Sequence, residues 1–260
     1  MKQETNVSAC IVVYGGADEA LRAAQSLLTH TRGVHLDLYL VDNASPDGAS
    51  ARLQAAALDA GPNRVEVLCL PENRGFGAGH NAVRDKLASQ YHFVVNPDVE
   101  LTEDSLAALC AWMDAHPDVV MATPRLRFPD GAEQYTPKRF PTFCALAARV
   151  SPFCKGAERR YLMRDENLAS VQDIGFCTGS FFVMRTQVFQ KIGGFDEGYF
   201  MYVEDADITR KALAEGRVCY VPVTSVTHAW HRDTHKSARS FLRQVRSMGR
   251  YWKKWGFQFY

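Results

Sequence analysis

The sequence predicts an α/β protein with a mostly parallel central sheet and helices on both faces. Three observations carry this. Apolar runs of strand length alternate with stretches of helical period over the first third of the chain. Gly, Pro, Asn and Asp punctuate the joins between them. The 260 residues, 47% hydrophobic and 23% charged, suffice for one large core.

Residues 7–14, VSACIVVY, read as a buried strand ending at Tyr14, and Gly15-Gly16 turns the chain. Residues 17–30 place Leu21, Ala24, Leu27 and Leu28 on one helix face. Residues 36–42 form a second strand that ends in Asp42-Asn43, and 51–59 a second helix. Residues 64–70 are the third strand, and 71–81, PENRGFGAGHN, a Gly-rich loop before another helix. Residues 91–96 are the fourth strand and run into Pro97-Asp98. In such sheets ligands bind beyond the C-terminal strand ends, where Asp42, Asn73, Asn96 and Asp98 fall. Residues 124–165, broken by five prolines, read as a long connection with helix near 143–150. Residues 171–184 look extended, and two short strands follow at 218–221 and 223–228, the second ending at His228.

Composition excludes several classes. Net charge is +1, which does not mark a generic polyanion binder. The seven cysteines include no Cys-x-x-Cys pair, which argues for reduced core thiols in a cytosolic setting and against a zinc site. The first ten residues have no signal-type apolar segment, and no run approaches the roughly 20 residues of a membrane span. The loop GFGAGH fails the dinucleotide fingerprint G-x-G-x-x-G, because His80 takes the third glycine position and the loop follows the third strand. Its glycines fit either a tight turn or phosphate contact.

Two acidic motifs carry chemistry. Asn96-Pro97-Asp98 holds two polar side chains around a fixed proline at a strand end. It suits either Mg²⁺ or Mn²⁺ binding or a plain strand-to-turn junction. Residues 193–210, GGFDEGYFMYVEDADITR, set five acids among Phe195, Tyr199, Phe200 and Tyr202. Aromatic walls would raise a carboxylate pKa toward that of a general base, whereas a charged helix N-terminal turn would need no function.

Taken in order, these motifs resemble the inverting family 2 glycosyltransferases of the GT-A fold, closest to the bacterial rhamnosyltransferases. The resemblance spans about residues 7–255. It rests on Val41-Asp42-Asn43-Ala44-Ser45, Glu72-Asn73-Arg74-Gly75-Phe76-Gly77, Asn96-Pro97-Asp98, Gly193-Gly194-Phe195-Asp196-Glu197, Tyr199-Phe200-Met201-Tyr202, Glu204-Asp205-x-Asp207 and His228. The chain departs from the family at Gly15, where Asn is usual.

The resemblance implies one GT-A domain over 1–235, with a Rossmann-like nucleotide-sugar half at 1–98 and an acceptor half at 99–235. It implies donor contacts from Tyr14, Asp42, Asn43, Asn73, Arg74, Gly75, Gly77, Asn96, Asp98 and Gly179. Asp98 and His228 would hold Mg²⁺ or Mn²⁺ on the donor diphosphate, and Asp205 would be the general base. Glu204 and Asp207 would orient Asp205 or the acceptor, or cap the helix; Trp230, just past His228, suits either stacking on an acceptor sugar or a place in the core or an interface. The implied reaction moves a sugar, L-rhamnose from dTDP-L-rhamnose, to a hydroxyl of a lipopolysaccharide, O-antigen or other surface glycan. A UDP-hexose transferase and a non-catalytic, membrane-associated sugar-binding module are the alternatives.

Residues 236–260 form a basic amphipathic tail. From Thr234 onward there are seven cations and no acid. Arg239, Arg243, Arg246, Arg250 and Lys253 mark one helix face, and Phe241, Val245, Met248, Trp252 and Trp255 the opposite one. Such a helix suits either peripheral contact with the cytoplasmic face of an inner membrane or docking on the fold with a solvated basic face. No nucleic-acid motif accompanies it.

Overall fold

The computed structural model describes residues 5–58, 64–148, 152–230 and 238–259. The strands are β1 (Asn6–Val13), β2 (His35–Asp42), β3 (Arg64–Cys69), β4 (Tyr91–Val95), β5 (Val99–Glu100), β6 (Val119–Arg127), β7 (Glu133–Gln134), β8 (Gln172–Asp173), β9 (Phe181–Arg185) and β10 (Arg217–His228). The helices are α1 (Ala17–His30), α2 (Ala49–Leu58), α3 (Phe76–Asn81), α4 (Ser105–Asp114), α5 (Phe143–Ala147), α6 (Lys155–Tyr161), α7 (Thr186–Lys191), α8 (Glu204–Leu213) and α9 (Ala238–Trp255).

All ten strands join one sheet, whose main path runs β3-β2-β1-β4-β9-β6-β10-β5. The first four strands are mutually parallel. β9 inserts antiparallel between β4 and β6, and β10 pairs parallel with β6. Alternation along β1 explains the two helical layers. Val7, Ala9, Ile11 and Val13 face a core with Ala20, Leu27, Leu53 and Leu109 from α1, α2 and α4. Cys10 and Val12 face the opposite core, with Phe182, Phe189, Ile208 and Ala212. Side chains alternate across a strand, so a continuously apolar strand needs cover on both faces.

Three local readings are corrected. The Gly-rich stretch contains the helix α3 itself: Gly77 and Gly79 sit where a Cβ would come within 2.7 Å of Phe195 and 2.6 Å of Val12, so small residues let the helix close on the sheet. The two strands at 218–221 and 223–228 are one strand, β10, with a register irregularity between Tyr220 and Ser225. Pro222 falls there and offers no N–H to the ladder. The extended stretch 171–184 resolves into β8 and the start of β9.

The tail helix docks. Met248 and Tyr251 are buried against Tyr199, Val203 and Ala206, with Trp252 and Trp255 packed alongside. Its cations also take part, contrary to the expected solvated basic face. Arg250 and Lys254 reach Asp196 at 2.8 and 2.9 Å. Burial works against the Asp196 charge, but Lys254, the Gly198 N–H and Arg250 outweigh it and hold its pKa at about 2. Lys236, the side chain of Arg239 and the 235/236 boundary lie outside the described residues. No helix among the described residues is long and apolar enough to cross a membrane.

Candidate active site

The loops after β1, β2 and β3 are tied together by amides and short acids. Asn43, 2% exposed, follows β2; its Nδ2 donates to Asn73 Oδ1 and to the Gly75 carbonyl, both at 3.1 Å. Its Oδ1 accepts from the Arg74 N–H at 3.2 Å, and Asn73 Oδ1 accepts from the Gly75 N–H at 2.9 Å. Asp42 is buried and its Oδ1 accepts from the Ser45 N–H at 3.0 Å, while Ser45 Oγ accepts from the Gly15 N–H at 2.9 Å. A carboxylate or amide oxygen that accepts a backbone N–H fixes a turn. Gly75 is at φ 92°, and a Cβ there would collide with the Phe200 carbonyl, so only glycine fits. Tyr14 is 59% exposed beside these loops. The Arg74 guanidinium leaves the network and pairs with Glu197 at 2.6 Å.

The Asn-Pro-Asp motif and the acidic helix meet across one dipeptide. The Asn96 N–H donates to the Ser180 carbonyl at 2.8 Å. The adjacent Gly179 N–H donates to Asp205 Oδ2 at 3.2 Å. Asp205 Oδ1 accepts from the Ala206 N–H at 2.9 Å. Asp205 lies in the first turn of α8, and the chain enters that helix under strain: Tyr202 and the β-branched Val203 are both at φ 72°. Left-handed backbone at a β-branched residue is costly, about 1–3 kcal/mol, and clusters at functional sites.

The three acids of this turn differ in environment. Burial raises the Asp205 pKa, against the opposing pull of Lys138 and the backbone N–H groups. Burial, and then the neighbouring Asp205 charge, raise that of Glu204, whose Oε2 is buried without a hydrogen-bond partner. Asp207 is fully buried and committed to the tail: Oδ1 accepts from Trp255 Nε1 at 2.7 Å and Oδ2 from Lys254 Nζ at 2.9 Å. The structure therefore places Asp207 under α9, paired within the fold. The aromatics divide similarly. Phe195 and Tyr199 are core residues, buried in separate clusters, and do not wall a pocket.

At the other end, His228 closes β10 and its Nε2 lies 3.4 Å from Asp98 Oδ1, both side chains nearly buried. Gln134 on β7 sets the tautomer. Its Nε2 donates to the His228 carbonyl at 2.6 Å, which turns its Oε1 toward His228 Nδ1 at 2.9 Å. An acceptor there requires the proton on Nδ1 and leaves an Nε2 lone pair facing Asp98. This is the outer partner that ligating histidines ordinarily have. An oxygen and a nitrogen lone pair side by side fit a divalent cation. The described residues contain no group of three or more His, Cys, Asp or Glu placed for a metal. Trp230, 44% exposed and at φ 47°, lies parallel to His228 at 6.4 Å and to Phe128 at 5.8 Å.

Sequence reading missed Gln134 and Lys138, which lie in the proline-broken connection. Their signal is a contact across the sheet rather than a local pattern.

The profile of Glycosyl transferase family 2 matches residues 8–193. The N-acetylglucosaminyl-diphospho-decaprenol L-rhamnosyltransferase of Mycobacterium tuberculosis is 30% identical over 222 residues, 80% of this chain and 71% of that protein. The rhamnosyltransferase WbbL of Escherichia coli is 30% identical over 190 residues, 68% of this chain and 70% of that one. A Pyrobaculum calidifontis mannosyltransferase solved with GDP-Man and Mn²⁺ superposes with a TM-score of 0.67 at 14% identity, over 97% of this chain and 64% of that one. GalNAc-T7, solved with UDP, GalNAc and Mn²⁺, gives 0.68 at 16% identity, over 96% of this chain and 48% of that one. The chain thus spans less than two thirds of these solved structures, which share its GT-A fold. Family profile, rhamnosyltransferase relatives and fold agree: the chain belongs to Glycosyl transferase family 2 and is a glycosyltransferase.

Proposed function

We propose that this enzyme transfers L-rhamnose from dTDP-L-rhamnose, with inversion, to a hydroxyl of a lipid-linked saccharide used for a bacterial surface glycan. The observation that carries the reaction type is the Gly179-Ser180 dipeptide, which bonds Asp205 on one side and Asn96 on the other. It puts a carboxylate of raised proton affinity beside the strand end that bears Asp98. The donor and acceptor classes are supported by the names of the relatives at 30% identity.

Asp205 takes the proton from the acceptor hydroxyl. That oxygen bonds to the anomeric carbon as the bond from this carbon to the donor diphosphate breaks, and no covalent enzyme intermediate forms. Glu204, in contact with Asp205 electrostatically, keeps the proton affinity of the pair high. Asp42, Asn43, Asn73, Arg74, Gly75 and Gly77 shape the nucleotide side, with Tyr14, Asn96 and Gly179 at its edges. Asp98 and His228 would hold Mg²⁺ or Mn²⁺, which supplies charge neutralisation to the leaving diphosphate. Trp230 offers a ring face for a sugar.

The test is transfer from dTDP-L-rhamnose to an N-acetylglucosaminyl-diphospho-lipid acceptor, with and without Mn²⁺, against UDP-glucose and UDP-N-acetylglucosamine. Turnover with the dTDP sugar and its loss in Asp205→Asn are expected. Turnover with a UDP sugar alone would replace the donor and keep the mechanism. Undiminished turnover in Asp205→Asn would remove the base.

A further inference from the structure

A cavity of about 460 Å³ opens between the loop 197–201 and α9. Four arginines line it, Arg74, Arg243, Arg246 and Arg250, against the single acid Glu197, with Phe200 on one wall. Guanidinium groups converging on one space match the forked oxygens of phosphate esters. Arg250 and Arg74 are held in place by Asp196 and Glu197, and Arg243 lies over the Phe200 ring at 4.6 Å.

The loop that lines the cavity leads into the turn that carries the candidate base. The Phe200 carbonyl accepts from the Phe76 N–H at 3.2 Å, and the strained Tyr202–Val203 turn leads from Phe200 to Asp205. The lining of the cavity includes neither Asp98 nor His228, the pair at which the donor diphosphate is assigned above, although it shares Arg74 with the nucleotide side. The arginines therefore offer a place for phosphate charge other than the Asp98–His228 pair. On the same helix, Phe241, Leu242 and Val245 are 63%, 65% and 53% exposed next to Arg243 and Arg246. An arginine cavity on a helix that also exposes apolar side chains beyond it suits a phosphate ester with a long hydrocarbon chain.

We propose that this cavity binds the diphosphate of a lipid-linked acceptor, with its hydrocarbon along Phe241, Leu242 and Val245 and its sugar hydroxyl toward Asp205. This deepens the reading of rhamnosyl transfer and rests on it for the acceptor sugar, but not for the phosphates. The surface of an anionic membrane presents related chemistry, and the test separates the two.

The full chain is titrated calorimetrically with geranyl diphosphate, with inorganic pyrophosphate and with dTDP plus Mn²⁺, and sedimented with phosphatidylglycerol vesicles. The variants are Arg243→Gln combined with Arg246→Gln, the single Arg246→Glu, and Phe241→Ser. Geranyl diphosphate should bind more tightly than pyrophosphate, and the arginine variants should weaken both about tenfold or more, as charge-assisted contacts do. Affinity for dTDP should stay as in the parent, which also shows that the variants are folded. Phe241→Ser should weaken geranyl diphosphate and leave pyrophosphate unchanged. Equal binding by parent and arginine variants would overturn the proposal, as would displacement of geranyl diphosphate by dTDP. A loss confined to vesicles would also overturn it and give the arginines to the membrane. If dTDP-L-rhamnose fails as donor while arginine-dependent geranyl diphosphate binding persists, the donor falls and the cavity stands.

Discussion

Asn96, two residues before Asp98, and Asp205 bond the same Gly179-Ser180 dipeptide, yet the two acids differ in their surroundings. Asp98 faces a histidine whose far nitrogen is held by Gln134, itself fixed by a backbone carbonyl. Each polar atom of that chain has a defined direction, and the pair at its end suits a cation. Asp205 sits beside Glu204, a buried carboxylate with an oxygen left unpartnered, after two residues at positive φ. There the fold disfavours charge and favours a proton. One end offers lone pairs to a positive charge, the other favours a proton, and the transfer proposed above would use both.

The sharpest way to break this contrast is Asp205→Asn. An amide keeps the shape but takes no proton, so kcat should fall by about 10²–10⁴, the usual contribution of a general base. Steady-state rates with saturating donor check this; a loss expressed only in KM would make Asp205 a binding residue.

Asp207 offers a control from the same turn. It is an acid paired within the fold, so Asp207→Ala should cost stability, about 2 kcal/mol, by stranding Trp255 Nε1 and leaving Lys254 with Asp196 alone. Denaturant midpoints measure this. A variant that keeps its midpoint and loses only turnover would return Asp207 to the acceptor side.

At the other end, Gln134→Leu frees the imidazole to take either tautomer. Affinity for Mn²⁺, followed by its paramagnetic resonance, should fall about 10–100-fold, as for other outer-partner mutations. Unchanged affinity would detach His228 from the metal.

The smallest effect concerns Glu204 and has a definite sign. Its folded pKa is raised, so the folded state resists losing the proton. Below the ordinary glutamate value both states are protonated and nothing is lost. As pH rises, the unfolded chain ionises first and stability drops, until pH passes the raised folded value. Glu204→Gln should therefore gain about 1–2 kcal/mol near pH 8 and nothing near pH 4. Melting temperatures over that range test it, and a gain at pH 4 would contradict burial as the cause. The raised pKa of Asp205 predicts the matching activity profile: transfer should rise with pH through a midpoint above the ordinary aspartate value.

Much of this was legible in the sequence because it is written in local period and local chemistry. Runs such as VSACIVVY and YHFVV have no polar face, which calls for cover on both sides and hence for a layered α/β fold. Asp42, Asn73, Asn96 and Asp98 follow strand ends, and the order of motifs singled out Asp205 and His228 before any contact was known.

Other features depend on partners far along the chain. Gln134 matters only because folding brings it to His228, and Asp207 belongs to the tail because Trp255 and Lys254 reach it. Gly75 and Gly77 could have cradled phosphate or merely saved space; the approach of Phe200 and Phe195 gives them a packing reason. The basic stripe of α9 looked solvated because helical period distinguishes faces but not what they meet. Asp196 and Asp207 draw Arg250 and Lys254 inward, and Arg243 and Arg246 then line a cavity with Arg74. Periodicity and residue type determined the layers and the acids of this protein. Which acid is loaded, which is neutralised and where the arginines converge was decided by tertiary packing, because burial and charge pairing are properties of neighbours in space.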